Sequence, residues 1–227
     1  MKKHIVILDP FPRTLKLIFS KDKFKKLKLS YKLIYAPKMH KKNFYEKNIH
    51  QASFIIGQPD LPKEILIKAK NLKAIINVES NFMNNMDYQY CFKKGIYVIA
   101  TSPVFSKPVA EIALGMTLSL LRNIHNAHLD FIKGKEKYGL ESNLKASLLS
   151  GKKIGLIGFG DLAKSLYPLL LPFSKDINVY DPWIPKINIQ KLGFKSISLN
   201  KIFESCDVIY VLAAVTTKNN YFIDKKL

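Results

Sequence analysis

Three small residues in the second half of the chain stand at the spacing of a phosphate-binding turn. Gly158, Gly160 and Ala163 fit G-x-G-x-x-G/A. In such a turn the first glycine permits a tight bend at the end of a strand. The second lets backbone approach a pyrophosphate, and the third position must be small so that the following helix packs closely on the strand. The start of that helix offers free N–H groups and a partial positive charge to the phosphates. Gly158, Phe159, Gly160, Asp161 and Leu162 are therefore the candidate cofactor positions on the turn. Asp161 suits the positive helix end and is expected to point to solvent. Asp181 lies 23 residues beyond Gly158, at the end of the apolar run Ile177 to Tyr180. A carboxylate there can accept hydrogen bonds from both hydroxyls of an adenosine ribose and repels a 2′-phosphate. Pro182 and Trp183 follow, with no arginine nearby. This is chemistry for holding NAD rather than NADP. The motif alone is weak, but here an apolar strand precedes it, an apolar-periodic helix follows it, and a second strand ends in the acid. The rivals are a ligand-free βα turn and the glycine-rich turn of a methyltransferase.

Other reactive side chains make no comparable pattern. His125 and His128 are three residues apart on an expected helix, but no carboxylate or cysteine completes a metal site. Cys91 and Cys206 are far apart and outside any CxxC spacing, so they read as small buried residues and no metal is expected.

The elements that must position the turn alternate. Strands are expected at 4–8, 31–36, 53–57, 73–78 and 96–100, with helices at 62–70 and 87–94, the latter closed by Gly95. A loop marked by Pro103 and Pro108 leads to a long helix from about Pro108 to Lys133, and 135–150 reads as a polar, irregular connection. A second series follows: strand 153–157, helix 161–171, strand 177–181, helices near 186–192 and 199–205, and strand 207–212. The fold class is α/β with mainly parallel sheets. The boundary is expected near residue 101, giving domains 1–101 and 102–227.

Composition limits the function further. The hydrophobic fraction is 48%, enough for a buried core. The net charge of +20 would suit a polyanion, yet only Arg13 and Arg122 are arginines, so 35 of the 37 basic residues are lysine. Arginine is the preferred reader of phosphates and guanine edges, and the lysines are spread along the whole chain. No nucleic-acid partner is expected. The longest uncharged apolar stretch, Ile112 to Leu121, is short of the ~20 residues of a membrane span. Asp9 and Pro10 end the first apolar run, unlike a signal peptide. No membrane partner and a cytoplasmic location are the expectations.

The block from Gly151 to Lys164, then Val179 to Trp183, then Ser205 to Thr216 resembles the D-isomer-specific 2-hydroxyacid dehydrogenase family, as does the stretch Ser102-Pro103 through Pro108-Val109-Ala110-Glu111. The resemblance covers essentially the whole chain. It implies two Rossmann-like parallel-sheet domains with a cleft between them, the first a flavodoxin-like substrate-side domain. The second, dinucleotide domain would be incomplete, lacking its C-terminal strands. It implies an oxidoreductase that moves hydride between NAD(H) and a 2-hydroxy or 2-keto acid, commonly as a homodimer joined through the dinucleotide domain and the long helix. Leu212, Ala213 and Thr216 would lie on the cofactor side, and Val109 would face the nicotinamide.

Two departures qualify that reading. The substrate loop of the family carries a glycine, whereas here it reads Val78-Glu79-Ser80-Asn81-Phe82. Backbone amides of Glu79, Ser80 and Asn81 are the candidates for the substrate carboxylate, with the Glu79 side chain turned away. The second departure is larger. Reduction of a 2-keto acid needs a cation to stabilise charge on the carbonyl oxygen and a tuned acid to protonate it. The family supplies Arg, Glu and His after the position of Thr216, so the catalytic set is expected beyond Leu227. The expectation is a truncated dehydrogenase, inactive alone. The alternative is a non-catalytic NAD-binding or partner-binding module of the same fold.

Overall fold

The computed structural model describes residues 3–80, 82–214 and 221–224. It divides into two compact units, Met1–Thr101 and Ser102–Leu227.

The first unit is built on five parallel strands: β1 (Ile5–Asp9), β2 (Lys32–Tyr35), β3 (Phe54–Gly57), β4 (Ala74–Ile76) and β5 (Tyr97–Ile99). Their order is β2-β1-β3-β4-β5, the flavodoxin-like arrangement. Connecting them are α1 (Leu15–Ile18), α2 (Lys21–Ser30), α3 (Lys41–Asn48), α4 (Lys63–Leu66) and α5 (Tyr88–Lys93). Ile7, Ile55 and Ile75 are fully buried and share a core with Tyr45, Ile49, Leu66 and Cys91. The β-branched runs supply strand faces that this core covers. Helix starts follow side-chain chemistry: Ser20 accepts from the Lys23 amide, and Asp87 accepts from the Tyr90 amide. Gly95 takes φ +69° just past α5, as a helix stop requires. The expected helix at 62–70 is only one turn, Lys63–Leu66. Helices α1, α2 and α3 lie where no element was expected.

The second unit holds α6 (Ser102–Leu121), α7 (Ile124–Ile132), α8 (Gly139–Asn143), β6 (Ile154–Ile157), α9 (Asp161–Leu170), β7 (Ile177–Tyr180), α10 (Lys186–Gln190), β8 (Lys195–Ser196), α11 (Leu199–Ser205) and β9 (Val208–Val211). Its parallel sheet has the order β8-β7-β6-β9, as in a Rossmann fold from its third to its fourth strand. The core joins Ile154, Leu156, Ala163, Leu166, Leu170 and Val179.

The long helix departs from expectation at both ends. It starts at Ser102, not Pro108, and stops at Leu121; Asn123, at φ 56°, breaks it from α7. Pro103 occupies the first turn, where a missing N–H costs nothing. Pro108 lies within the helix and removes one bond, to a stretch where Val104 is exposed and its carbonyl can meet water. The polar connection also contains one short helix, α8. Among the described residues one helix, α6, is long and apolar enough to cross a membrane by length and composition. In this unit its Ala110 and Thr117 are buried, and Ala113, Leu114 and Leu118 pack on the core.

Candidate dinucleotide site

The glycine turn after β6 is shaped by what crosses it. Gly158 has φ +91°, a conformation that side chains rarely adopt, and its N–H donates to the Tyr180 carbonyl at 2.8 Å. A Cβ at Gly158 would sit 2.8 Å from both Cα and N of Ala213. The chain leaving β9 runs directly against the turn, and the Leu212 amide donates to the Ile157 carbonyl at 2.8 Å. Gly158 thus answers two demands, a left-handed bend and the passage of Leu212–Ala213.

Gly160 faces the opposite situation. It precedes α9, is exposed, and a Cβ there would meet nothing within 4 Å. Among the described residues no side chain caps α9 at this position. The amides of Asp161 and Leu162 open the first turn of this ten-residue helix, at its positive end. Asp161 is exposed, as expected, and Leu162 is half-buried. Ala163 is fully buried, in line with the demand for a small residue where α9 meets the strand.

Phe159 plays two separate roles. Its ring is 1% exposed and stacks on Tyr167, with Phe194 edge-on, so the side chain anchors the turn from inside. Its amide donates to Oδ2 of Asp181 at 2.8 Å. Oδ1 of Asp181 accepts from the amides of Trp183 and Ile184 at 2.8 and 3.0 Å. Three backbone donors thus hold the carboxylate beside the glycine turn. The Phe159 amide is spent on Asp181 and is not left over for a phosphate. The remaining lone pairs of the half-buried Asp181 stay available to hydroxyl donors.

Gly158, Phe159, Asp181, Leu212 and Ala213 meet at one place, at the carboxyl ends of β6, β7 and β9. Val109 is on α6, partly exposed. Thr216 and Asn81 lie outside the described residues. Glu79 and Ser80 belong to the first unit. There the Glu79 carboxylate is turned onto Arg13, which donates from Nε at 2.7 Å and from Nη2 at 3.2 Å.

Two features escaped the reading of the sequence. The hydroxyls of Thr117 on α6 and Tyr210 on β9 lie 2.7 Å apart in the interior, and burial raises the Tyr210 phenol above its ordinary range. Gly155, inside β6, gives Ile202 and Cys206 room: a Cβ would lie 2.8 Å from Ile202 Cγ2. A glycine inside an apolar strand is itself a signal of such close approach.

The residues present fit a dinucleotide: open space over Gly160, uncapped amides, and a carboxylate fixed one strand away. Comparison with known proteins agrees. Residues 114–227 match the family of the D-isomer specific 2-hydroxyacid dehydrogenase, NAD binding domain. The chain is 31% identical over 163 residues to a hydroxypyruvate reductase of Thermotoga maritima, covering 72% of this chain and 51% of that protein. A phosphoglycerate oxidoreductase from Rhizobium etli superposes with a TM-score of 0.72 at 41% identity, over 95% of this chain and 66% of its own. An NAD-dependent formate dehydrogenase from Staphylococcus aureus, in complex with NAD, gives a TM-score of 0.66 at 27% identity, over 98% and 69%. The chain spans about half the length of the curated relatives it matches.

Proposed function

The chain belongs to the D-isomer-specific 2-hydroxyacid dehydrogenase family, and from that premise we propose that it serves hydride transfer between NAD(H) and a 2-hydroxy or 2-keto acid. The observation that carries this reading is the Phe159 amide bonded to Asp181 at 2.8 Å beside an open Gly160. NAD, when bound, supplies or accepts the hydride. The amides of Asp161 and Leu162 hold the pyrophosphate at the start of α9, where the helix dipole favours negative charge. Asp181 takes the ribose hydroxyls, and its charge disfavours a 2′-phosphate at the same place. Leu212, Ala213, Thr216 and Val109 complete the cofactor side. In the first unit, the amides of Glu79, Ser80 and Asn81 receive the acid's carboxylate.

A homodimer in the cytoplasm, with no nucleic-acid or membrane partner, completes the reading. For the homodimer the support is an exposed apolar stripe along α6 formed by Ile112, Met116 and Leu120.

The test uses the one tryptophan of the chain. Trp183 is exposed and donates its amide to Asp181, so it stands beside the proposed ribose position. Bound NADH should draw energy from Trp183 and quench its emission in a saturable titration, with NADPH far weaker. Absence of saturable NADH binding by this signal and by calorimetry would end the assignment.

A further inference from the structure

The Arg13–Glu79 pair lies across the carboxyl edge of the first unit's sheet. Arg13 follows β1 and Glu79 follows β4, while β3 runs between those strands. The pair therefore spans the end of β3, whose last residue is Gly57 and carries no side chain. In open parallel sheets, ligands bind beyond the carboxyl ends of strands.

The contact is fork to fork: Nε to Oε1 at 2.7 Å and Nη2 to Oε2 at 3.2 Å. In a chain where 35 of 37 basic residues are lysine, arginine here stands where planar, bidentate recognition of an oxyanion is in use. Both side chains keep contact with solvent, at 39% and 29% exposure. A pair of this kind is weakly held, and another carboxylate can take the place of Glu79.

The strand end beneath is unsatisfied. Asn77, two residues before Glu79, is 0% exposed, and neither its amide nitrogen nor its amide oxygen has a partner among the described residues. The Thr101 hydroxyl is in the same state. The backbone N–H of Asn77 donates to the Ile99 carbonyl at 2.8 Å, and the backbone N–H of Thr101 to the Glu79 carbonyl at 3.5 Å, so both orphaned side chains lie where β4 and β5 end. Across the sheet, Asp9 is by contrast satisfied by Lys41 at 2.6 Å and Tyr45 at 3.1 Å. Buried side-chain amides are ordinarily paired. Unmet donors and acceptors at the strand ends that lead to Glu79 are groups that a ligand rich in oxygen would satisfy.

We propose that Glu79 is an internal stand-in for a substrate anion, and that Arg13 selects 2-hydroxy acids bearing a second anionic group, a carboxylate or a phosphate, which displaces Glu79 from the guanidinium. This rests on the dehydrogenase reading for the 2-hydroxy acid itself. Arg13 is then a specificity-determining residue.

With two arginines in the chain, the Nε–H region of a nitrogen–proton NMR spectrum holds two signals, and Arg13→Lys identifies the one from Arg13. The NADH-loaded chain is titrated with D-malate, D-3-phosphoglycerate and D-lactate. The Arg13 signal should move at about tenfold lower concentration with at least one dianion than with D-lactate, the effect of one charge-assisted hydrogen bond. The stronger of the two dianions identifies the group as carboxylate or phosphate. Glu79→Gln removes the internal competitor and should lower the dianion midpoint by a larger factor than it moves that of D-lactate. Equal midpoints for dianions and D-lactate in the unsubstituted chain, or weaker dianion binding in Glu79→Gln, would overturn the proposal. NADH binding in the same sample separates the failures. Without it the dehydrogenase reading falls; with it and an unmoved Arg13 signal, only the role of Arg13 does.

Discussion

The Asp181 carboxylate accepts a hydrogen bond from the Phe159 amide, N to Oδ2 at 2.8 Å, across the gap between β7 and the turn after β6. This bond ties the acid to the bend that it serves. The acid is thereby fixed before any ribose arrives, and little ordering remains for binding to supply. Replacement of Asp181 by Ala should weaken NADH binding by at least about tenfold, the loss of one or more charge-assisted bonds. It should also lower the melting temperature, because three backbone donors lose their acceptor. Asp181→Asn keeps an acceptor and removes the charge, so it should narrow the preference for NADH over NADPH. Tryptophan quenching with both nucleotides reads the ratio, and an unchanged ratio in Asp181→Asn would remove the charge argument.

The two glycines of the turn should fail in different ways. Gly158→Ala meets φ +91° and the Ala213 backbone at 2.8 Å, so it should cost about 1–3 kcal/mol of stability in the second unit. Gly160→Ala meets open space at φ −81°, so stability should stay within about 0.5 kcal/mol. Its methyl group would instead occupy the approach of the pyrophosphate, and NADH affinity should fall. Urea unfolding and nucleotide titration on both variants separate these outcomes. Equal stability losses at the two positions would contradict the geometry.

The parts of this fold that could be read from residues were those with a local rule. The glycine turn, the strands of β-branched residues and the acid ending β7 each follow from spacing within about two dozen residues. Helix α2 had no such rule: none of its residues is buried, so no apolar stripe marks it. The start of α6 was misplaced because Pro103 and Pro108 signal a loop locally, whereas a proline in a first turn costs no hydrogen bond and a helix can begin there. The pairings that matter most outside the turn were out of reach for a different reason. Thr117 and Tyr210 are 93 residues apart, and Arg13 and Glu79 are 66 apart. A fork between two charged side chains becomes visible only when β1 and β4 are placed one strand apart.

Alkaline pH should loosen the first unit. Cys91 is fully buried, and burial pushes its thiol from about 9 up to about 11; burial also pushes the Tyr88 phenol from 10 up to about 12. Below about pH 9 the folded and unfolded chains both keep these protons, and the contribution to stability is whole. Between about 9 and 11 the unfolded thiol ionises while the folded one does not, so stability falls as pH rises, by on the order of 2 kcal/mol for Cys91. Urea midpoints from pH 8 to 11 should decline, and less steeply in Cys91→Ala. A thiol reagent at pH 8 should leave Cys91 unmodified until the chain unfolds. Prompt labelling of Cys91 in the native protein would contradict its place in the core.

The surface of α6 bears on assembly. Ile112, Met116 and Leu120 are 63%, 61% and 75% exposed, and their four-residue spacing puts them along one side of the helix. Three large apolar side chains in line on solvent are costly for an isolated chain and favourable once covered. A second copy meeting the first through the same stripe would cover both at once, as two-fold interfaces do. Light scattering should therefore give about twice 26.0 kDa at micromolar concentration. Ile112→Lys with Leu120→Lys should give the monomer, because like charges placed on facing stripes must be desolvated and repel one another whichever way the two helices run. Lys is a good helix former, so α6 itself should persist by circular dichroism. A monomeric mass for the unsubstituted chain across that range would show that the stripe does not mediate self-association.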